Sequence, residues 1–218
     1  MSYTQPTHAY YSETRTFLEN HANTVEEVVE ALMRDEDYIE SVAEKNDYDY
    51  DMYDGEKLDE ELKQAVAALA PEMAYRMLQD FAETMDRWPE VTDNMRLTKA
   101  LKSLSPEILA FENFEDCGSC ASSLLFSNYQ EGKLPPEAKG YVTYHEQSTD
   151  RVAAGGDLYL SHSSFAEGYD EAEDLRIAGK VVEALKAEGL NVDWDGSADR
   201  TIKISNMRWH RAFPPLVH

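Results

Sequence analysis

The stretch Phe114-Glu-Asp-Cys-Gly-Ser-Cys-Ala-Ser-Ser-Leu-Leu-Phe126 holds both cysteines of the chain, Cys117 and Cys120. Its pattern predicts that the pair lies at the start of a helix. The Cys-Gly-Ser-Cys spacing suits three roles: a thiol/disulfide pair at a helix N-terminus, half of a zinc site, or two small half-buried residues that open a helix. The sequence leaves all three roles open. The stretch also marks a change of pattern, from helical before it to mixed after it.

The half of the chain before the cysteines is predicted to be helical. Thr24-Val-Glu-Glu27 matches a capping box, and apolar residues then follow helical spacing to about Ala43. Pro71 fits the first turn of a helix, so we expect one helix to end before it and another to begin there. The predicted helices of this half are 24–43, 58–69, 71–88 and one capped by Asp93 or Asn94 that reaches Leu104.

The second half mixes strands and helices in its pattern. Alternating residues predict five strands, and Gly189 is placed to end a helix that begins near Asp170. The fold class we expect is α+β: an N-terminal helical layer at 1–92, then a region at 93–218 in which helices pack on an antiparallel sheet. Because residues 95–115 run without a linker into the cysteine segment, we expect one compact unit. The predicted strands are 107–112, 140–145, 157–162, 190–194 and 201–205.

The dominant bulk property is negative charge. The 218 residues include 43 acidic and 20 basic side chains, which gives a net charge of -23. The sequence therefore predicts no direct binding to nucleic acid, because such binding needs a clustered basic face and none is visible. Two explanations stay open: solubility or a high-salt habitat, and an acidic face that docks on a basic protein surface.

The densest acidic segment is residues 47–61, which carry eight acidic residues and one lysine. Asp47, Asp49 and Asp51 imitate the first ligands of an EF-hand loop. The match then fails, because Met52 stands where the loop needs glycine and Leu58 where it needs glutamate. Alternating tyrosines and carboxylates also suit a protein interface. The candidate partner-binding residues are Asp47, Tyr48, Asp49, Tyr50, Asp51, Tyr53 and Asp54.

The sequence predicts a cytoplasmic protein. No run approaches the roughly 18 to 20 apolar residues of a membrane span, and the N-terminus has neither the basic nor the apolar part of a signal peptide. We therefore expect no membrane partner. In a reducing compartment a Cys-x-x-Cys pair serves redox chemistry, metal binding or structure rather than a disulfide framework.

Five motifs occur in order in the second half: Phe114 before Cys-x-x-Cys, Gly-Tyr-Val-x-Tyr-His-x-Gln at 140–147, Gly-x-Leu-Tyr-Leu at 156–160, Val-Val-x-x-Leu-x-x-x-Gly-Leu at 181–190 and Trp-Asp-Gly at 194–196. Together they resemble a bacterial family known only as a domain of unknown function. Residues 94–210 resemble it best. Family members tend to have a further cysteine where this chain has Asp116 and a glycine where it has Ala121, so one potential thiolate ligand is absent. The resemblance implies no activity.

Two functions from different classes follow. The leading one is an acidic, non-enzymatic binding protein of the inhibitor, immunity or nucleic-acid-mimic type, which docks on a basic partner and needs no cofactor. The alternative is a thiol/disulfide redox protein in which the helix dipole lowers the pKa of Cys117 and Cys120 resolves a mixed disulfide. A zinc site would need two more ligands, for which His145 and His162 are the candidates. No nucleophile motif or phosphate loop is present, so the sequence leans against an enzyme.

Overall fold

A computed structural model describes Thr4 and residues 24–48, 60–115, 117–166 and 168–211. The chain divides into two compact units, residues 1–88 and 89–211. The division falls close to the predicted boundary between residues 92 and 93. That the two regions form one compact unit stays a prediction, so each unit is described by itself.

The described part of the first unit is helical. Helix α1 is Val25–Leu32, α2 is Glu36–Lys45 and α3 is Glu60–Met85. The capping box at Thr24 is confirmed: its hydroxyl accepts a hydrogen bond from Glu27 N at 3.2 Å, and the Glu27 carboxylate accepts one from Thr24 N at 2.8 Å. The prediction of a single helix from Thr24 to Ala43 is wrong. The chain breaks after Leu32, and the fully buried Asp35 caps α2 by accepting a hydrogen bond from Tyr38 N at 3.0 Å.

Helix α3 continues through Pro71, so the two helices predicted on either side of this proline are one. A proline inside a helix removes one hydrogen bond and crowds the preceding turn. Here the buried face continues on both sides of Pro71, with Leu69 and Ala70 before it and Met73 and Ala74 after it. This continuous apolar face packs with α1 and α2 into one core, which accounts for the helix running through.

The second unit is α+β. Its helices are α4 (Asp93–Lys102), α5 (Gly118–Gln130), α6 (Glu146–Ala153) and α7 (Glu171–Ala187). Its strands are β1 (Ile108–Phe111), β2 (Gly140–Thr143), β3 (Leu158–Ser164), β4 (Val192–Asp193) and β5 (Ile202–Ile204).

The five strands form one mixed sheet in the order β1-β2-β3-β5-β4. Three of the four strand pairs are antiparallel, as expected, but β1 and β2 are parallel, with Ile108 opposite Gly140. Helix α5 connects these two strands, because parallel neighbours need a crossover rather than a tight turn. The order of elements is therefore β-α-β at the start of the unit, followed by antiparallel strands.

The sheet has a heavily buried face and a thinly covered one. Ile108, Val142 and Leu160 point to the first face, where they join α4, α6 and α7 in a core of nineteen buried residues. Tyr141 points to the second face, where α5 contributes Leu125 to a cluster of only four buried residues. The pair Cys117 and Cys120 opens α5 and so belongs to the thinly covered side.

Two local predictions in this unit were wrong. Helix α6 occupies a segment expected to be a loop; it is polar and buries one apolar residue, Val152, beside Ser148 and Thr149. The cap of α4 is Thr92 rather than Asp93 or Asn94, and its hydroxyl accepts from Met95 N at 3.2 Å.

Candidate functional site

The β1-α5-β2 unit places the two cysteines. Strand β1 ends at Phe111, a short loop follows, and α5 begins at Gly118 with Cys117 as its N-cap. The predicted helix start at the cysteines is confirmed. In sheets with parallel strands, binding sites form beyond the carboxyl ends of those strands, and the cysteines follow that end of β1.

The two sulfur atoms lie 2.8 Å apart, with Cys117 half-buried and Cys120 exposed. Cys117 Sγ also accepts a hydrogen bond from the backbone N–H of Cys120 at 3.4 Å and lies 3.3 Å from Ser119 Oγ. Serine, threonine, aspartate and asparagine are the usual residues at an N-cap, and here a sulfur takes that position. When Cys117 is deprotonated, the Cys120 thiol, the Ser119 hydroxyl and the Cys120 N–H can therefore all donate to its sulfur.

These contacts favour the thiolate of Cys117. The hydrogen bond from the Cys120 side chain, then that from Ser119, then the Cys120 backbone N–H lower the pKa of Cys117 from an ordinary value of 9.0 to about 7. A hydrogen bond to the charged form of an acid lowers its pKa, and the positive end of a helix acts in the same direction. At neutral pH Cys117 therefore has more of the nucleophilic thiolate form than an ordinary cysteine.

The loop before the cysteines is fixed to β2 and α6 by hydrogen bonds. Phe114 N donates to Tyr144 O at 2.9 Å, and Glu146 N donates to Glu115 O at 3.0 Å. The buried Thr149 hydroxyl donates to Asn113 Oδ1 at 2.6 Å. These bonds hold the start of α5 against the end of β2, which gives the thiol pair a defined position.

His145 and Ser161 lie beneath the first turn of α5. A Cβ on Gly118 would stand 3.4 Å from His145 Cδ2, 3.5 Å from its Nε2 and 3.9 Å from Ser161 Oγ. These are ordinary van der Waals distances, so the first turn of α5 lies directly against the imidazole and an alanine at position 118 would also fit. His145 is the N-cap residue of α6, and its Nε2 lies 3.2 Å from Ser148 Oγ in that helix. The sequence indicated His145 and the cysteines, but nothing in it singled out Ser161.

His162 belongs to a different place. By strand alternation it points to the same face as Leu158 and Leu160, whereas Ser161 points toward α5. Its Nε2 lies 3.1 Å from Arg200 O, its ring packs edge-on against Trp194, and burial lowers its pKa. The zinc ligand set of Cys117, Cys120, His145 and His162 is therefore not assembled. Among the described residues, no group of three or more His, Cys, Asp or Glu side chains is placed to hold a metal.

The acidic segment is described only at its start. Asp47 is exposed, and Tyr48 is half-buried against the core of the first unit. The other candidate partner-binding residues, Asp49, Tyr50, Asp51, Tyr53 and Asp54, lie outside the described residues. The outer faces of α1 and α2 carry exposed acidic side chains, as predicted: Glu26, Glu27, Glu30, Glu36, Asp37, Glu40 and Glu44.

The second unit is thus an α+β domain with a pair of thiols at the N-terminus of a crossover helix. The chain belongs to the family described as Domain of unknown function (DUF6891), whose model matches residues 12–213. Comparisons with curated proteins and with solved structures return no match. In the part of the chain that the structure describes, every helix is too short or too polar to cross a membrane.

Proposed function

We propose that this chain is a thiol/disulfide redox protein whose reactive pair is Cys117 and Cys120. The observation that carries the proposal is the convergence of Cys120, Ser119 and a backbone N–H on Cys117 Sγ at the start of α5. A structural cysteine pair needs no such donors. The lowered pKa of Cys117 agrees with this role.

The exchange uses each cysteine once. The Cys117 thiolate attacks one sulfur of a disulfide; the substrate S–S bond breaks, and one thiolate leaves with the bonding electrons and takes a proton from water. Cys120, as a thiolate, then attacks Cys117 Sγ in the mixed disulfide and releases the second substrate thiolate. The substrate gains two electrons and becomes two thiols, and the protein becomes the Cys117–Cys120 disulfide. A dithiol reductant returns the pair to its starting state.

The test is equilibration of the full chain with mixtures of reduced and oxidised glutathione, followed by acid quenching and mass spectrometry. We expect one reversible species two mass units lighter, and trapping of a glutathione mixed disulfide at Cys117 in Cys120→Ser. Cys120→Ser/Cys117→Ser is the matched control and should form neither species. If the wild type never forms the internal disulfide across the range of potentials, the proposal is wrong.

Retaining the pair as thiols requires a reducing compartment, and we propose a cytoplasmic location on that ground. Export of the chain through an oxidising compartment would instead produce a fixed disulfide, which thiol labelling of whole cells would detect.

A second candidate function is docking of the acidic face on a basic protein partner, without a cofactor. It is favoured by the exposed carboxylates of α1 and α2. The basic residues in these two helices and their connecting turn are Arg34 and Lys45, so the acidic side chains outnumber the basic ones. Attraction between exposed charges speeds association and fades with salt. Replacing Asp47, Asp49, Asp51 and Asp54 by Asn should slow the association rate with a captured partner while leaving the fold intact. If the association rate does not change with salt concentration, this second candidate function is wrong.

A further inference from the structure

Ser119, which lies between the two cysteines, has a role that deepens the proposed redox function, and the inference rests on that function. Its Oγ lies 3.3 Å from Cys117 Sγ. The other residue between the cysteines is Gly118, which has no side chain. Ser119 is exposed, so its hydroxyl contributes little to the buried core. Its contact with the reacting sulfur can therefore be removed without unfolding the chain.

The strength of this contact depends on the redox state of Cys117. In the dithiol state Cys117 can lose its proton, and its charged sulfur then accepts hydrogen bonds from the Ser119 hydroxyl, the Cys120 thiol and the Cys120 N–H. In the disulfide state the same sulfur is neutral and is bonded to Cys120 Sγ, so it is a weak acceptor and the Cys120 S–H no longer exists. Hydrogen bonds to charged groups are stronger than those to neutral groups. These contacts therefore stabilise the reduced pair more than the oxidised pair.

The pKa of Cys117 agrees with this asymmetry. It is lowered to about 7, first by the hydrogen bond from the Cys120 side chain and next by that from Ser119. A lower pKa means that the thiolate is favoured, and a thiolate exists only in the dithiol state of the pair. Each donor that is removed should consequently make the pair easier to oxidise.

Stabilising the dithiol state changes which disulfides the pair can reduce. In the exchange the dithiol gives two electrons and two protons to a substrate disulfide, which becomes two thiols. This reaction is favourable only when the substrate disulfide is more oxidising than the pair itself. Strained or exposed disulfides are the more oxidising ones, whereas structural disulfides resist reduction. We infer that Ser119 is a specificity-determining residue: its hydroxyl holds Cys117 as a thiolate and shifts the pair from structural disulfides toward strained or exposed ones.

Three variants of the full chain isolate this hydroxyl. Ser119→Ala removes it, and Ser119→Thr keeps it. The matched control is Ser123→Ala, which removes an exposed hydroxyl one turn further along α5. The separation of the two sulfurs, 2.8 Å, favours the disulfide in every variant alike. The titratable groups that adjoin the first turn also stay the same: Cys120 in the turn, Glu115 and Asp116 before it in sequence, and His145 beneath it.

The measured quantity is the equilibrium constant for oxidation of the pair by glutathione, from the oxidised fraction after acid quenching. At pH 8 we expect it to rise about threefold in Ser119→Ala, the effect of losing one exposed hydrogen bond to a charged sulfur. At pH 6 Cys117 is mostly protonated, so Ser119→Ala and the wild type should give the same constant. The pH midpoint of Cys117 alkylation by iodoacetamide should move upward in Ser119→Ala. Ser119→Thr and Ser123→Ala should match the wild type in both measurements.

The outcomes separate the inference from the function on which it rests. A rise in the constant of Ser119→Ala that is present at pH 8, absent at pH 6 and absent from both Ser119→Thr and Ser123→Ala supports the role of the hydroxyl. An unchanged constant in Ser119→Ala, the same change in either of the other variants, or an equal rise at pH 6 overturns it while the redox function stands. If the wild type forms no internal disulfide at any glutathione ratio, the redox function is itself wrong and the inference falls with it.

Discussion

The two faces of the sheet in the second unit differ in how they are built. On one face α4, α6 and α7 cover a core of nineteen buried residues, and on the other α5 covers a cluster of four. The thin face also carries an open surface cavity of about 710 Å³, lined among others by Phe126, Tyr129 and Phe165. The thick face therefore supplies most of the apolar burial that stabilises the unit.

The two faces therefore differ in role: the thick face stabilises the unit, and the thin face carries the thiol pair. The thiol pair opens α5 on the thin face, where Cys120 is exposed, while helices on the other face hold the strands beneath it. A site on a well-supported sheet keeps its geometry even when the helix that carries it is only partly buried. Substitutions on the thick face should then change stability most, and those at the thiol pair should change it least.

The largest loss is expected for Leu160→Ala, because Leu160 is fully buried in the nineteen-residue core. Removing its side chain costs transfer energy and leaves a cavity between the sheet and the helices, so unfolding should become easier by about 3 to 5 kcal/mol. This loss of unfolding free energy can be measured by urea unfolding of the full chain monitored by tryptophan fluorescence, because Trp209 is part of the same core. A loss below that of the Leu125 variant would contradict the comparison.

A smaller loss is expected for Leu125→Ala on the thin face. Leu125 is also fully buried, but half-buried neighbours such as Phe126 and Tyr129 can move to fill the space. We expect about 2 to 3 kcal/mol by the same measurement, at the lower end of leucine truncations. The adjacent Leu124, which is 39% exposed, is the matched control. Leu124→Ala should cost less than about 1 kcal/mol.

Removing a helix cap on the thick face should lower the unfolding free energy by less than removing a buried leucine. Thr92 caps α4 on the thick face, and Thr92→Ala should cost about 1 kcal/mol because Met95 N loses its acceptor. Thr92→Ser keeps the hydroxyl and should restore most of the loss. Equal stabilities of the alanine and serine variants would show that the cap contributes nothing.

The smallest effect is expected for Cys117→Ser. Serine is a favoured N-cap residue, so the unfolding free energy should change by less than about 0.5 kcal/mol. All thiol exchange at this position should nevertheless stop. A loss of more than about 2 kcal/mol would mean that Cys117 is held by packing rather than placed for chemistry.

Features encoded by neighbouring residues could be predicted from the sequence. The capping box at Thr24, the start of α5 at the cysteines and the end of α7 before Gly189 are all confirmed. Each depends on hydrogen bonds or backbone geometry within one helical turn, which residue types and spacing express directly.

Features that depend on packing between residues distant in the chain could not be predicted from the sequence. Pro71 indicates a break by local rules, but the apolar face of α3 on both sides keeps the helix continuous. Helix α6 buries one apolar residue beside the polar Ser148 and Thr149, so apolar residues alone do not mark its inner face. Pairing of β2 with both β1 and β3 brings His145 and Ser161 beneath the first turn of α5, and no sequence pattern encodes which strands become neighbours.

The most direct measurement of the central claim is the pH dependence of Cys117 alkylation. A brief pulse of iodoacetamide at each pH, with the modified residue located by tandem mass spectrometry, gives the rate at Cys117 and at Cys120 separately. We expect the Cys117 rate to rise with pH with a midpoint near 7, because the thiolate is the reactive form and its pKa is lowered to about 7. In Cys120→Ala the midpoint should move upward, since the largest of the contacts that lower this pKa is removed. A wild-type midpoint near 9, unchanged in Cys120→Ala, would contradict the account.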